Sequence, residues 1–261
     1  MHPNRLSPRS DGQPQPGRAF VIPKRFGEVL RNSLEFVGTY GVGRFVQELH
    51  YRFVNQYHER RLGVETSGMV KLSDLGIQNK EFFEYTPIGY SAIYSALERI
   101  PLPASSISFL DYGSGKGRVI VAAGTFPFKK VLGVEISEQL NRIAKANIEA
   151  MRHRRAGIIE VVQADAVQFA LPDDVNLIHF FNPFSGAHLD KVIANILASH
   201  RANPRTIYII YFNKMHFERL LKDAGYHWIR PIYATHVYPS YSCGIYEITQ
   251  TGAAGRDRKH A

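Results

Sequence analysis

Phe109-Leu110-Asp111-Tyr112-Gly113-Ser114-Gly115-Lys116-Gly117-Arg118 is the stretch that decides how this chain is read. An apolar run ends in an acid, crosses three alternate glycines and enters a second apolar run, Val119 to Ala123. Glycines at such a turn permit positive φ and let a ligand come close to the backbone. The helix start behind them offers N–H donors that have no intrahelical partner. A tight strand-to-helix turn that needs glycine for its own geometry is the plain alternative. Two nucleotide signatures are absent. A P-loop requires G-x-x-x-x-G-K-[ST], but Lys116 is followed by Gly117, and Leu110 stands five residues before Gly115. A dinucleotide fingerprint requires G-x-G-x-x-G, but the third glycine comes one residue early and Arg118 holds its place.

Outward from the turn, apolar runs and amphipathic segments alternate. The patterning predicts strands at 105–112, 129–136, 157–165, 175–183 and 205–213, with helices between them. It adds two late strands, from Tyr226 and from Ser242, suited to an antiparallel edge pair. Ser137 is placed to cap the helix after the second strand, and Gly225 to close the helix before the late strands. This alternation implies parallel strands joined by right-handed crossovers. Upstream, apolar residues at helical spacing predict two helices between Lys24 and Leu62, broken near Gly38, Gly41 and Gly43. Residues 63–87 have no period and read as a long ordered loop. Residues 88–100 read as an amphipathic helix. The expected organisation is a flexible leader (1–23), a helical extension and lid (24–87), an α/β domain (88–251) and a flexible tail (252–261).

Polar residues recur where the predicted strands end. Asp111 ends the first strand, and Glu135 ends the second, followed by Ile136. Asp165 and Ala166 end the third, and Asn182-Pro183-Phe184 the fourth. In an open α/β sheet the ligand crevice lies at these ends. A carboxylate at the position of Glu135 can accept hydrogen bonds from ribose hydroxyls. For Asp165 and Ser137 a helix cap is the simpler explanation. For Asn-Pro-Phe it is a strand terminator, because proline ends pairing.

The acid-x-G-x-G-x-G pattern, with Glu135 and Asp165 in step, resembles motif I and its partners in the class I S-adenosylmethionine-dependent methyltransferases. The resemblance runs from about Tyr85 to Ile248. It implies a Rossmann-like sheet of seven strands, mostly parallel with an antiparallel edge, behind the N-terminal helical extension. It implies S-adenosylmethionine as cofactor, held by Tyr85, Thr86, Asp111, Gly113, Ser114, Gly115, Gly117, Arg118, Glu135, Ile136, Asp165, Ala166 and Asn182. Within the class, DYGSGKGR, GVEIS and HFFNPF look most like bacterial relatives of the DOT1-type and FAM173-type protein-lysine methyltransferases. Asn-Pro-Phe departs from the Asn-Phe of that group. It is closer to the N/D-P-P-Y/F motif of amino-methylating enzymes, with one proline missing. The implied acceptor is a nitrogen, on a protein lysine or a small amine. Asn182, Pro183 and Phe184 are the expected catalytic residues: the Asn182 amide oxygen and the Pro183 carbonyl would accept the acceptor's N–H groups, and Phe184 would pack on it. A NAD-dependent oxidoreductase and a non-catalytic cofactor-binding module are the competing readings, and Arg118 counts against the first.

Composition sets the outer limits. The 261 residues carry one cysteine, which forbids an internal disulfide and a cysteine-rich zinc site. With no apolar signal-type run at the N-terminus, a reducing, cytoplasmic setting is expected. No apolar run is long enough to cross a membrane, and the eleven histidines show no metal-ligand spacing. The net charge of +9 invites a nucleic-acid reading. Its distribution weakens that reading, because residues 1–104 carry +3, residues 105–185 only +1 and residues 186–261 +5. The cofactor half is nearly neutral, and no basic stripe alternates with aromatics.

Overall fold

Each residue of strand β1 (Ser108–Tyr112) is buried, as a central parallel strand covered on both faces requires. Beside it run β2 (Lys130–Glu135), β3 (Ile158–Gln163), β4 (Leu177–Phe181) and β5 (Ile207–Phe212), all parallel. The edge is made by β6 (Ile229–Val237) and β7 (Tyr241–Ile248). β7 inserts antiparallel between β5 and β6, so the order is β3-β2-β1-β4-β5-β7-β6. Pro231 sits at an irregularity of β6, where an edge strand tolerates the lost N–H. The computed structural model describes residues 24–237 and 241–249. The expected leader and the expected tail lie outside the described residues.

Helices cover both faces of the sheet. Phe109 and Val131 pack with α3 (Tyr90–Leu97), α4 (Arg118–Ala123) and α5 (Glu138–Ala150) through Ile93, Ile120 and Ala144. Leu110, Tyr112 and Ile178 point the other way. They pack with Val192 and Ile193 of α6 (Gly186–Ala202) and Phe217 of α7 (Met215–Asp223). The period-2 alternation along β1 thus feeds two separate cores. Ser137 caps α5 as its position predicts, its Oγ accepting from the Leu140 N–H at 3.3 Å.

Ahead of the sheet lie α1 (Lys24–Tyr40) and α2 (Val42–Leu62). Of the three glycines expected to break them, only Gly41 does. It takes φ +84° between the helices, while Gly38 and Gly43 stay helical. The chain divides into two compact units at Gln47/Glu48. In the first unit the Phe36 ring lies against Tyr40 and Phe45, at 4.8 and 6.2 Å. The second unit takes in the end of α2, the segment 63–87 and the whole sheet, so its boundary falls well before Ile88. No helix among the described residues is long and apolar enough to cross a membrane.

Arg118 ties the end of α2 and the segment 63–87 to the start of α4. Its guanidinium is buried and donates to four partners that precede the first strand in the chain. Nε reaches Thr66 Oγ1 at 2.7 Å, and Nη1 reaches the Ile88 carbonyl at 3.0 Å. Nη2 reaches Glu59 Oε1 at 3.0 Å and Ser67 Oγ at 2.8 Å. It also lies 4.9 Å from the Tyr90 ring centre, a cation–π contact. The side chains of the pair are 4% (Arg118) and 13% (Glu59) exposed, so water screens it little. Burial pushes the Glu59 carboxyl up. Hydrogen bonds from Thr66 and Ser67, with the Arg118 charge, outweigh this and hold it below its ordinary 4.5. A carboxyl depressed on folding contributes stability above its unfolded pKa and loses it as pH falls through the folded value. Glu59→Gln is expected to lower stability at neutral pH by about 3 kcal/mol, because it leaves a buried guanidinium without its counter-charge. The gap to the parent protein should close as pH drops below 4.5. Urea melts of both proteins across that range measure it.

Candidate active site

Strand order reverses between β1 and β4, and there a cavity of about 360 Å³ opens at the carboxyl ends of the strands. Its walls include Tyr85, Thr86, Asp111, Gly113, Ser114, Gly115, Arg118, Glu135, Ile136, Asp165, Ala166, Asn182, Pro183 and Phe184. Of the residues expected from sequence, only Gly117 stands apart. It takes φ +83° and faces Ala144 of α5, where an added Cβ would lie 3.1 Å from that side chain.

The other two glycines of the turn are required by close packing as well as by backbone angle. Gly113 and Gly115 have φ +72° and +55°. A Cβ on Gly113 would meet Pro183 at 2.4 Å, and one on Gly115 would meet the Tyr85 ring at 2.3 Å. Tyr85 is held in place by its hydroxyl, which donates to the Thr66 carbonyl at 2.7 Å. The turn's own N–H groups are largely satisfied within the chain. Gly113 and Ser114 donate to the Val134 carbonyl, and Gly117 donates to that of Ser114. Gly115 donates to Glu135 Oε2 at 2.8 Å.

Two of the carboxylates, Asp111 and Glu135, are buried. Glu135 also accepts from the Ser137 N–H through Oε1, at 2.8 Å. A carboxylate has about four acceptor positions, so Glu135 keeps room for a further donor. Burial, helped by the Asp111 charge, raises its pKa against the pull of those N–H groups. Burial also raises Asp111, and the His179 ring beside it only partly offsets that. Asp165 accepts the Val167 N–H at 2.9 Å in a local turn and still lines the cavity. Ile136 is 40% exposed, an apolar face at the cavity wall.

The three residues of the Asn-Pro-Phe segment all line the cavity, each with different neighbours. The Pro183 carbonyl already accepts the Phe83 N–H, at 3.4 Å, and the proline ring fills the space over Gly113. Phe184 is buried, packed against Phe180 and Phe82 at 6.3 and 6.5 Å, and so belongs to the core that supports the cavity. Asn182 keeps the chemical opening. It has φ +47°, a strained angle for a residue with a side chain, and its Oδ1 is buried with no hydrogen-bond partner. Arg118, expected to bind cofactor, reaches the cavity wall but its guanidinium is engaged by Glu59, Thr66, Ser67 and Ile88.

Some cavity residues were not foreseen. His179 of β4 lies with Nδ1 2.6 Å from Asp111 Oδ1 and is 1% exposed. Its partner is 68 residues away, so no local spacing announces the pair. Asn213, with φ +61°, and Tyr241 bring the ends of β5 and β7 to the wall. Glu81 fastens the segment above the cavity to the start of α6. It accepts the Ala187 and His188 N–H groups at 2.9 and 3.1 Å and pairs with the His188 ring.

A family model described as a methyltransferase domain matches residues 110–197, which hold the turn, Glu135, Asp165 and Asn182. No curated protein sequence matches the chain. Among solved structures it is similar to an RNA methyltransferase from Salinibacter ruber in complex with S-adenosyl-L-homocysteine. That pair shares 16% identity over 66% of this chain and 99% of that one, with a TM-score of 0.46. A SAM-dependent methyltransferase from Aquifex aeolicus is 16% identical over 62% of this chain and 100% of that one, with a TM-score of 0.46. A ribosomal protein L11 methylase from Lactobacillus delbrueckii subsp. bulgaricus is 14% identical over 60% of this chain and 77% of that one, with a TM-score of 0.45. The seven-stranded order with its antiparallel edge is the Rossmann-like, mostly parallel α/β sheet that the sequence led one to expect.

Gly115→Ala is expected to destabilise the protein by about 1–3 kcal/mol, since it combines an unfavourable φ with overlap on Tyr85. Adding Tyr85→Ala should relieve the overlap and leave the backbone part. Urea melts of the single and double variants separate the two.

Proposed function

We propose that this protein is an S-adenosylmethionine-dependent methyltransferase whose acceptor is a nitrogen, on a protein lysine or a small amine. The observation that carries the reading is the orphaned Oδ1 of Asn182, held at a strained backbone angle beside the glycine turn and two buried carboxylates. A buried amide oxygen without a partner is costly, and an N–H of an incoming amine is the group that would satisfy it. The kinship with DOT1-type and FAM173-type enzymes belongs to the same proposal and rests on the sequence motifs quoted above.

The residues suit the cofactor in charge and in shape. Glu135 would accept from the ribose hydroxyls, and Asp165 from the amino group of the adenine. Ile136 and Ala166 offer apolar contact to the base. Ser114, whose buried Oγ also lacks a partner, and Asp111 would hold the remaining, amino-acid end. Buried carboxylates at neighbouring strand ends favour a cation. S-adenosylmethionine, when bound, supplies an electrophilic methyl group on a positively charged sulfur. Asn182 would orient the amine, and the apolar surroundings would favour its uncharged, nucleophilic form.

The same turn disfavours a dinucleotide. A pyrophosphate needs free N–H groups at the glycine turn, and here those of Gly113, Ser114, Gly115 and Gly117 are engaged within the chain. Calorimetry with S-adenosylhomocysteine and with NAD tests the choice. The homocysteine nucleoside should bind and NAD should not. Glu135→Ala should weaken that binding at least about tenfold, the loss expected for hydrogen bonds to a charged group. Asn182→Ala should leave it nearly unchanged. No binding of S-adenosylhomocysteine by the folded protein would overturn the reading.

A further inference from the structure

We propose that His179, held by Asp111, is the proton acceptor for the methyl acceptor's nitrogen. The proposal rests on the methyltransferase reading above and deepens it.

The geometry starts at the junction of β1 and β4. Asp111 and His179 are register partners on these neighbouring strands, so their side chains share a face of the sheet. Nδ1 of His179 lies 2.6 Å from Asp111 Oδ1. The ring is walled by Phe109 at 6.3 Å and Phe212 at 5.6 Å. Two aromatic neighbours and the carboxylate fix its plane. Nε2, at the other end of the ring, is buried and has no hydrogen-bond partner, although His179 lines the cavity. Asn182, three residues on at the end of the same strand, presents the second orphan, Oδ1. Both residues line the cavity, so each orphan is a place for a group that can donate N–H bonds. An alkylamine is such a group.

The chemistry gives each orphan a task. A protonated amine has no lone pair with which to attack. With Nδ1–H donated to the Asp111 carboxylate, Nε2 carries the free lone pair of the imidazole. It takes one N–H proton from the amine, while Asn182 Oδ1 holds another. The freed lone pair forms the nitrogen–carbon bond. The methyl–sulfur bond breaks with its electron pair left on sulfur, and the positive charges end on the methylated nitrogen and the imidazolium. Asp111 stabilises that imidazolium, and its own bond to Nδ1 keeps the ring in the accepting tautomer.

Sinefungin, in which an amine-bearing carbon replaces the methylated sulfur, tests this without knowledge of the natural acceptor. Its ammonium should donate to Nε2, whereas S-adenosylhomocysteine has no such group. In calorimetry, His179→Asn, which keeps a donor toward Asp111 and deletes Nε2, should bind S-adenosylhomocysteine nearly as the parent does. It should lose sinefungin affinity about tenfold, the worth of one hydrogen bond to a charged group. Equal sinefungin affinity in the two proteins, with S-adenosylhomocysteine bound by both, would overturn the assignment and leave the methyltransferase reading standing. Failure of the parent protein to bind S-adenosylhomocysteine would overturn both. Should His179→Asn not fold, 15N spectra of histidine-labelled parent protein decide. Sinefungin and not S-adenosylhomocysteine should move an unprotonated Nε2 signal, and an Nε2 that already carries hydrogen, or does not respond, sinks the proposal.

Discussion

Two glycines without side chains let the rest of the site close. At Gly113 and Gly115 the space a Cβ would take is filled by Pro183 and by the ring of Tyr85. The turn after β1 is thereby clamped between the loop after β4 and the segment that precedes α3. Positive φ at both glycines aims the chain so that the clamp can form. The cavity is the space left beside this clamp, and the ends of β1, β2 and β4 reach it because the clamp brings their loops together.

Arg118 extends the clamp backwards along the chain. In the dinucleotide pattern its position would hold a glycine. Here a long side chain leaves the start of α4 and gathers Glu59, Thr66, Ser67 and the Ile88 carbonyl. Thr66 in turn receives the Tyr85 hydroxyl on its carbonyl oxygen. One guanidinium thus couples α2 to the residue that lies over Gly115. A buried cation with its partners satisfied imposes one arrangement on that segment, since any other leaves a charge without compensation.

Electrostatics gives the cavity its chemical sign. Asp111 and Glu135 are both buried and both raised by that burial. The turn's N–H groups, which would attract an anion, are engaged by Glu135 and by backbone carbonyls. The buried cavity groups without a partner include the Asn182 Oδ1, the His179 Nε2 and the Ser114 hydroxyl, and each of them can accept a hydrogen bond. Such a site suits a cationic, donor-rich guest.

Local sequence was enough for the elements and for the strand-end positions. The runs around β1, β2, β4 and β5 are apolar because both faces are covered, and Ser137 marks a helix start by its own chemistry. The glycine turn, Glu135, Asp165 and Asn182 were legible because each is tied to a strand end a few residues away. The division at Gln47/Glu48, the burial of Phe184, the engagement of the Pro183 carbonyl and the redirected Arg118 were not. Each depends on partners tens of residues distant. The Asp111–His179 pair is the clearest case. Sequence alone determined that an acid ends β1 and that a histidine lies in β4. Only the parallel register of β1 with β4 decided that they touch, because hydrogen bonding between strands places residues opposite one another without leaving a trace in either strand's own pattern.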